Sequence, residues 1–390
     1  MSDLSIYFAP LDAGTFASSG FHAESVGGNI SRYINEFPEW KYSEIAIIGV
    51  QEDRLSGRNK GCAKGPDEIR KYLYQLFPPN SGKIKLVDLG NILPGESVED
   101  TWFALKAVAS ELIRKNIIPV IIGGSQDLTY ASFSAYEKLE QTINVLTIDR
   151  IFDLSRDHDE FNSMAYLNRI ILHEPNFLFN YSNIGYQTYF ISGIELELME
   201  KLYFDTYRLG EFKENIAATE PIIRNADLVS IDISAIRQSD APGTAHSGPN
   251  GFYGEEACQM ARYAGMSDKL SSFGIYEYNP VFDRNGQTAH LVAQMLWCFI
   301  DGYYSRKNDF PFTDESKYIR YQVVLKDFEH ELLFYKSKQS DRWWLSVPYS
   351  PANHFKFERH HLVPCSYDDY QLACSEEVPD IWWKTFQKIT

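Results

Sequence analysis

Short apolar runs alternate with longer amphipathic segments through the middle of this chain, and this alternation constrains the fold more than any other feature. The runs Ile45–Val50 and 117–122 contain no polar side chain. Continuous apolar runs of this length are typical of strands covered on both faces, and strands that alternate with helical patterns indicate a parallel sheet. We therefore predict an α/β domain.

The pattern begins near residue 43 and predicts a series of strands and helices. Strands are expected at 45–50, 84–88, 117–122, 144–149, 187–191, 227–233 and 271–276. Helices are expected at about 66–77, 98–115, 128–140, 162–171, 194–203, 213–225 and 287–304. About eight parallel strands with covering helices form a doubly wound sheet, in which ligands bind beyond the carboxyl ends of the strands.

The limits of this pattern divide the chain into three regions. Residues 1–44 lack sustained periodicity and are expected to form an irregular N-terminal arm. Residues 45–305 form the predicted α/β domain, and residues 306–390 form a C-terminal extension that packs on it. In that extension, strands are predicted at 318–325, 331–335 and 342–347, the last two forming a β-hairpin, with a possible helix within 367–388. Its paired tryptophans are expected to cover core surface, with a binding surface as the alternative.

Composition excludes several classes of protein. A chain of 390 residues with 44% hydrophobic content can bury a large core. The formal net charge of −16 argues against a general nucleic-acid-binding protein, which would carry a basic surface. No apolar stretch approaches the ~18 residues of a membrane span, so no membrane insertion is expected. The five cysteines have no CxxC spacing, which is typical of reduced thiols, and a cytoplasmic location is therefore expected.

Three polar segments that follow predicted strands carry most of the chemical information. They read Gly-Gly-Ser-Gln-Asp at 123–127, Asp-Arg-Ile-Phe-Asp at 149–153 and Ser-Ile-Asp-Ile-Ser at 230–234. They resemble motifs of the arginase (ureohydrolase) family, which read Gly-Gly-Asp-His-Ser, Asp-Ala-His-x-Asp and Ser-Phe-Asp-x-Asp. Segments at 61–70, 241–244 and 277–280 resemble further family motifs in the same order. The resemblance spans roughly residues 45–305 and implies an arginase-type, mostly parallel sheet of eight strands.

The resemblance also implies a site for two divalent metal ions, but half of its six ligands are replaced. The ligands retained are Asp149, Asp153 and Asp232. The replacements are Gln126 for a histidine, Ile151 for a histidine and Ser234 for an aspartate. In family members, the two metals activate a water that attacks an amidine or guanidine carbon, a reaction that needs both metals in place.

The two halves of this implied site are not equally damaged. Gln126 and the three retained aspartates form a set of hard oxygen ligands that suits Mg²⁺, Ca²⁺ or Mn²⁺. The other half would combine the shared Asp149 and Asp232 with Ile151, which has no donor atom, and Ser234, a poor ligand at neutral pH. Two bound metals are not expected. The sequence favours no cofactor at all, with one divalent cation in the first half as the alternative.

Other residues near the motifs are weaker candidates. Glu277 matches the family glutamate that contacts the guanidinium-like end of the substrate, although a structural salt bridge would equally explain it. Arg150 can neutralise the crowded carboxylates or point to solvent. His158 and His246 can in principle transfer protons, but a histidine in a polar loop is more often only solvated.

The loss of three of six ligands makes a pseudoenzyme the favoured hypothesis: an arginase-fold protein retained as a binding or assembly component. The family resemblance implies a homo-oligomer, and the extra terminal segments suit a protein partner. One alternative is a metal-dependent hydrolase of linear amidines or guanidines, formiminoglutamase-like or arginase-like, that uses a single metal. A second alternative is a sensor that binds a guanidino ligand without turnover.

Overall fold

The structure is a computed structural model that describes residues 3–79, 84–139, 141–154, 162–310, 314–326, 328–349 and 357–389. Its centre is a parallel sheet of nine strands. These strands are β1 (Ser31–Arg32), β2 (Ile45–Val50), β3 (Leu86–Ile92), β4 (Ile118–Ile122), β5 (Ile143–Ile148), β6 (Leu178–Tyr186), β7 (Asp205–Arg208), β8 (Leu228–Asp232) and β9 (Ser272–Tyr276). The predicted doubly wound α/β class is confirmed, with nine strands rather than eight.

The order of the strands determines where a site can form. Across the sheet the order is β1-β3-β2-β4-β9-β8-β5-β6-β7. The neighbouring strands β4, β9, β8 and β5 are all parallel, so their carboxyl ends lie side by side at one edge of the sheet. The loops after these four strands contain the three polar motifs and Glu277. The topology therefore brings together segments that are far apart in the sequence.

Helices cover both faces of the sheet. They are α1 (Ala13–Phe16), α2 (Val26–Asn29), α3 (Gly65–Leu73), α4 (Val98–Arg114), α5 (Leu128–Ser134), α6 (Tyr166–Ile171), α7 (Gly193–Lys201), α8 (Thr219–Arg224), α9 (Gly254–Met266) and α10 (Gln287–Tyr304). Along β2, Ile45 and Ile47 face a core shared with α3, α9 and α10, whereas Ile48 faces a core shared with α4. This explains the uninterrupted apolar run at β2, because both faces are buried. No helix in the described part of the chain is long and apolar enough to cross a membrane.

The predicted strand at 187–191 is wrong, because the chain there forms a 3₁₀ turn (Thr188–Phe190) after the true strand, β6. β6 escaped prediction since it contains polar residues that are nonetheless buried. Asn183, for example, donates hydrogen bonds to Thr147 Oγ1 and Ile151 O, which replace the bonds to water. The sequence pattern also missed α9 and the short strand β7.

The N-terminal arm is more ordered than predicted. Its short strand β1 pairs in parallel with β3 and adds the ninth strand to the sheet. Leu4, Phe16 and Val26 are fully buried, so the arm contributes to the core. The elements of this arm have only two to four residues, too few to produce a visible periodicity in the sequence.

The C-terminal extension forms a second, antiparallel sheet of four strands. Its strands are β10 (Tyr318–Val323), β11 (Leu332–Ser337), β12 (Trp343–Ser346) and β13 (Leu362–Cys365), followed by helices α11 (Tyr367–Cys374) and α12 (Asp380–Ile389). β11 and β12 pair as predicted. Arg224 of α8 joins the extension to the main sheet: it donates to Trp343 O at 3.2 Å, and its Cζ lies 4.5 Å from the Trp344 ring centroid. Trp343, Trp344 and Trp382 are buried, as expected for residues that cover core surface, whereas Trp383 is exposed.

Candidate metal centre

The retained aspartates converge at the carboxyl end of the sheet. Asp149 follows β5, and Asp232 is the last residue of β8. One ligand atom from each of Asp149, Asp153 and Asp232 lies within 4.8 Å of the other two. All three side chains are buried. The prediction that these residues come together is therefore confirmed by the geometry, while their role as ligands stays a prediction.

Burial strongly affects the charge on this cluster. It raises the pKa of Asp149 and of Asp153 well above the usual value, because a carboxylate loses its hydration there, and the neighbouring carboxylates raise both values further. The Asp149 and Asp153 carboxyl groups also act on each other directly, which couples their titration. Burial likewise raises the pKa of Asp232. Without a cation, full ionisation of the cluster is therefore disfavoured.

Local backbone geometry fixes the orientation of two of the carboxylates. The backbone N–H of Ile151 donates to Asp149 Oδ1 at 3.2 Å, and that of Ser234 donates to Asp232 Oδ1 at 2.6 Å. Asp153 adopts the left-handed region, with φ of 52°. Such a conformation is uncommon outside glycine and asparagine, and it turns the Asp153 side chain back toward the strand ends.

Three oxygen atoms in this site are buried and have no hydrogen-bond partner among the described residues. They are Gln126 Oε1, Asp149 Oδ2 and Asp153 Oδ2. Buried polar atoms are nearly always paired, so three unpaired acceptors in one place indicate a missing cation or donor. Their chemistry, carboxylate and amide oxygen, suits Mg²⁺, Ca²⁺ or Mn²⁺. These residues fit one divalent cation, so the sequence-based preference for no cofactor is revised.

Gln126 is held in place by both its backbone and its side chain. Its backbone N–H donates to Glu277 Oε1 at 2.8 Å, and its Nε2 donates to Ser230 Oγ at 2.9 Å. Ser230 Oγ in turn contacts Thr129 Oγ1 at 2.7 Å. This arrangement leaves Oε1 of the amide available to a cation. Sequence reasoning missed the contribution of Thr129, since no feature of its sequence context indicated it.

The second half of the family site offers no comparable set of ligands. Ile151 carries no donor atom. The Ser234 hydroxyl hydrogen-bonds Asp232, which lowers the otherwise raised pKa of that carboxyl. The described residues therefore do not fit a second metal ion at the positions that the family motifs imply.

Glu277 lies at the pocket but both of its oxygens are already engaged. Oε1 accepts from the Gln126 backbone, and Oε2 accepts from Asn59 Nδ2 at 2.6 Å. Burial raises the pKa of Glu277 to about 8, with a further contribution from Asp232. Neither expected role is directly supported: no salt bridge to Glu277 is present among the described residues, and a contact with substrate stays a prediction. Asn59, which sequence reasoning missed, connects this glutamate to the loop after β2.

The two charged candidates beside the cluster differ in their contacts. Arg150 lines the pocket, its Cζ lies 4.8 Å from the Phe190 ring centroid, and its charge lowers the pKa values of Asp149 and Asp232. It forms no ion pair with the described carboxylates. His246 also lines the pocket, and burial lowers its pKa. His158 lies outside the described residues.

The free space between the described side chains limits what the centre can hold. The cavity lined by Asp153, Asp232, Gln126, Ser234 and Glu277 has a volume of about 10 Å³. That is roughly the space of one water-sized sphere, enough for a single ion or water. A wider depression of about 410 Å³ adjoins it, and Arg150, Ile151, Asp153 and Met164 line both.

Comparisons with known proteins agree with this geometry. The family model described as "Arginase family" matches residues 43–301. A formimidoylglutamase of Staphylococcus aureus (strain MRSA252) is 28% identical over 279 residues, which cover 66% of this chain and 86% of that protein.

Solved structures show the same fold. A formiminoglutamase of Trypanosoma cruzi with Mn²⁺ has a TM-score of 0.64 at 20% identity, and the match covers 69% of this chain and 96% of that chain. A formimidoylglutamase of Bacillus subtilis has a TM-score of 0.61 at 19% identity, covering 80% of this chain and 93% of that chain. The agmatine ureohydrolase of Thermoplasma volcanium has a TM-score of 0.58 at 20% identity, covering 74% and 97% respectively.

Proposed function

This chain belongs to the arginase family, and from that premise we propose that it is a pseudoenzyme that holds one divalent cation and acts as a binding or assembly component. The observation that carries this proposal is the contrast within the centre. Three unpaired buried oxygens support one cation, whereas Ile151 and Ser234 supply nothing comparable for a second.

The chain's own residues define what such a site would do. Asp149, Asp153, Asp232 and Gln126 Oε1 would hold the cation, whose charge would offset the repulsion among the carboxylates. A bound divalent cation supplies charge neutralisation and lowers the pKa of a water bound to it. Its main contribution here would be to the fold, because it would allow the buried carboxyl groups to ionise without an uncompensated charge.

A second candidate is a hydrolase of linear amidines that works with one metal. The specific support for it is that the S. aureus and B. subtilis relatives are named formimidoylglutamases, and that Glu277 is retained at the pocket. Against it stands the second metal position, where Ile151 supplies no donor atom and Ser234 replaces the family aspartate.

An activity assay separates the two candidates. The purified chain, incubated with Mn²⁺, is assayed for hydrolysis of formiminoglutamate, arginine and agmatine beside an active formimidoylglutamase. The pseudoenzyme proposal predicts a kcat/KM at least 10⁴-fold below that of the active enzyme for each compound. Hydrolysis at a comparable rate that disappears in the Asp149→Ala variant would overturn it and establish the hydrolase. The matched variant Asp368→Ala removes an exposed aspartate in the first turn of α11, outside the pocket lining, and should leave any genuine activity intact.

The remaining part of the proposal concerns a partner. A protein partner or a homo-oligomer is proposed because an assembly component needs one, and size-exclusion chromatography with light scattering measures the oligomeric state. A second copy would give a multiple of the 44.9 kDa chain mass.

A further inference from the structure

A second cavity lies at the opposite end of the main sheet from the carboxylate cluster. Its volume is about 530 Å³. Ile117 and Ile118, where β4 begins, line it together with Leu270 and Ser271, which precede β9. In a parallel sheet the amino ends of the strands all lie on the side away from the carboxyl ends, so this cavity is separate from the candidate metal centre.

Four cationic side chains from distant parts of the chain line this cavity. They are Arg114 at the end of α4, Lys269 before β9, Arg306 after α10, and Arg359 of the C-terminal extension. Asp268 is the one acidic residue among the described lining residues. Three carboxylates accompany these four cations: Asp268 in the lining, Glu111, which pairs with Arg114, and Asp227, which pairs with Lys269 and Arg359, so the local charge balance is positive.

One buried carboxylate serves two of these cations. The Lys269 side chain is only 2% exposed, and its Nζ lies 3.8 Å from Asp227 Oδ2 and 3.1 Å from Asn225 Oδ1. Arg359 Nη2 donates to the other oxygen, Asp227 Oδ1, at 2.5 Å. Arg359 Nε is buried and has no hydrogen-bond partner among the described residues. The two positive charges of Lys269 and Arg359 therefore exceed the single negative charge of Asp227.

Arg306 is neutralised even less. Its Nε donates to Gly265 O at 2.9 Å and its Nη2 to Leu270 O at 3.3 Å, and the guanidinium lies over the Tyr303 ring. These partners are neutral, and no ion pair of Arg306 with a described carboxylate is formed. Burial lowers the pKa of Arg306 to about 10 and that of Lys269 to about 8, which reflects the cost of placing cations there without full compensation.

We propose that this cavity binds a small phosphate-bearing molecule, up to the size of a nucleotide. Arginine and lysine are the side chains that recognise phosphate most strongly, and four of them line this cavity. A volume of about 530 Å³ lies within the ~300–1,000 Å³ typical of small-molecule sites. A phosphate ester carries close to two negative charges at neutral pH, so it compensates several converging cations more fully than the single charge of a carboxylate. Because Arg359 belongs to the extension, the ligand would connect that extension to the main sheet.

Inorganic pyrophosphate is the probe that tests this proposal. Its binding to the full-length chain is measured by isothermal titration calorimetry, with KCl of equal ionic strength as the reference. Saturable binding of one pyrophosphate per chain is expected. The variants Arg359→Gln and Arg114→Gln should weaken it at least tenfold and at least threefold respectively. The matched control is Arg208→Gln, since Arg208 and Arg114 are both largely exposed and each pairs with a glutamate three residues away.

Two further measurements keep the test decisive. The Asp153→Asn variant should bind pyrophosphate with unchanged affinity, because Asp153 lies at the other end of the sheet. Thermal unfolding of every variant verifies that it is folded, and Arg114→Gln is the safest variant because the Arg114 side chain is 56% exposed. Three outcomes would each overturn the proposal. The first is the absence of saturable pyrophosphate binding up to about 10 mM, on the order of the weakest dissociation constant taken as binding. The others are equal weakening of binding by Arg208→Gln and loss of binding in Asp153→Asn.

Discussion

The two halves of the candidate metal centre differ in how many structural tasks their residues perform. In the first half, Asp149 accepts a backbone N–H, Asp232 caps the turn after β8, and Gln126 connects Glu277 with Ser230. In the second half, Ile151 adds no polar contact from its side chain, and the Ser234 hydroxyl only adds to a bond that its backbone already makes. Both halves share Asp149 and Asp232, and what separates them is that Gln126 supplies an oxygen ligand where Ile151 supplies none.

The largest expected effect comes from removing a central carboxylate of the first half. Asp149→Ala should weaken Mn²⁺ binding at least 100-fold, because it deletes a ligand and leaves Asp153 without its hydrogen-bond partner. Calorimetric titration with Mn²⁺ measures this. Asp368→Ala, an exposed aspartate in the first turn of α11, is the control that should bind normally. Unchanged Mn²⁺ affinity in Asp149→Ala would show that the cation binds elsewhere.

The second prediction sharpens the comparison by rebuilding the missing half. The double substitution Ile151→His with Ser234→Asp should raise the bound Mn²⁺ from about one per chain to about two, because it supplies the imidazole and carboxylate that a second ion needs. Elemental mass spectrometry after desalting measures the metal. If the double variant still binds one Mn²⁺ per chain, the two halves of the centre differ in more than their ligands.

A third prediction concerns pH. Because burial raises the pKa values of Asp149 and Asp153, these carboxyls keep a proton that a cation must displace. Apparent Mn²⁺ affinity should therefore rise with pH and fall as the solution is acidified, with net proton release on binding. Titrations in buffers of different ionisation enthalpy count the protons. Binding without proton release between pH 6 and pH 8 would mean that the cluster is fully ionised before the cation arrives.

The smallest expected effects on Mn²⁺ affinity distinguish a residue that binds the cation from one that only lies beside it. Gln126→Ala removes Oε1 and should weaken Mn²⁺ binding by about tenfold, within the range that supporting residues of metal sites commonly contribute. Ser234→Ala should change the affinity less than about twofold, since the backbone N–H that orients Asp232 remains. The same Mn²⁺ titration compares the two variants. An equal loss in both would contradict the assignment of Gln126 as a ligand.

Much of the fold was predictable because its signal is local. Buried strands such as β2 and β4 appear as continuous apolar runs, and the three aspartates occur in motifs that follow such strands. β6 was not predictable by the same argument, because its buried Asn180 and Asn183 side chains donate to partners 25 and 36 residues away in the sequence. β1 and β7 have two and four residues, too few to establish a period.

The sequence predicted which residues form the candidate centre, but not which of their oxygen atoms lack hydrogen-bond partners. Residue types identified Asp149, Asp153, Asp232 and Gln126, whereas the unpaired oxygens depend on side-chain orientations that no sequence motif encodes. The hydrogen bonds of the two Glu277 oxygens were equally hard to predict, because one partner, Asn59, lies 218 residues away in the chain. Long-range hydrogen bonds of this kind determine which oxygen atoms in the pocket remain available to a cation.

The metal content of the purified chain tests the central claim most directly. After incubation with Mn²⁺ and desalting, elemental mass spectrometry should find about one Mn²⁺ per chain, and none in Asp149→Ala. Two ions per chain would contradict the account, because the second half would then bind metal through ligands not identified at Ile151 and Ser234. No bound ion would contradict it equally, since the three unpaired buried oxygens would then have another explanation.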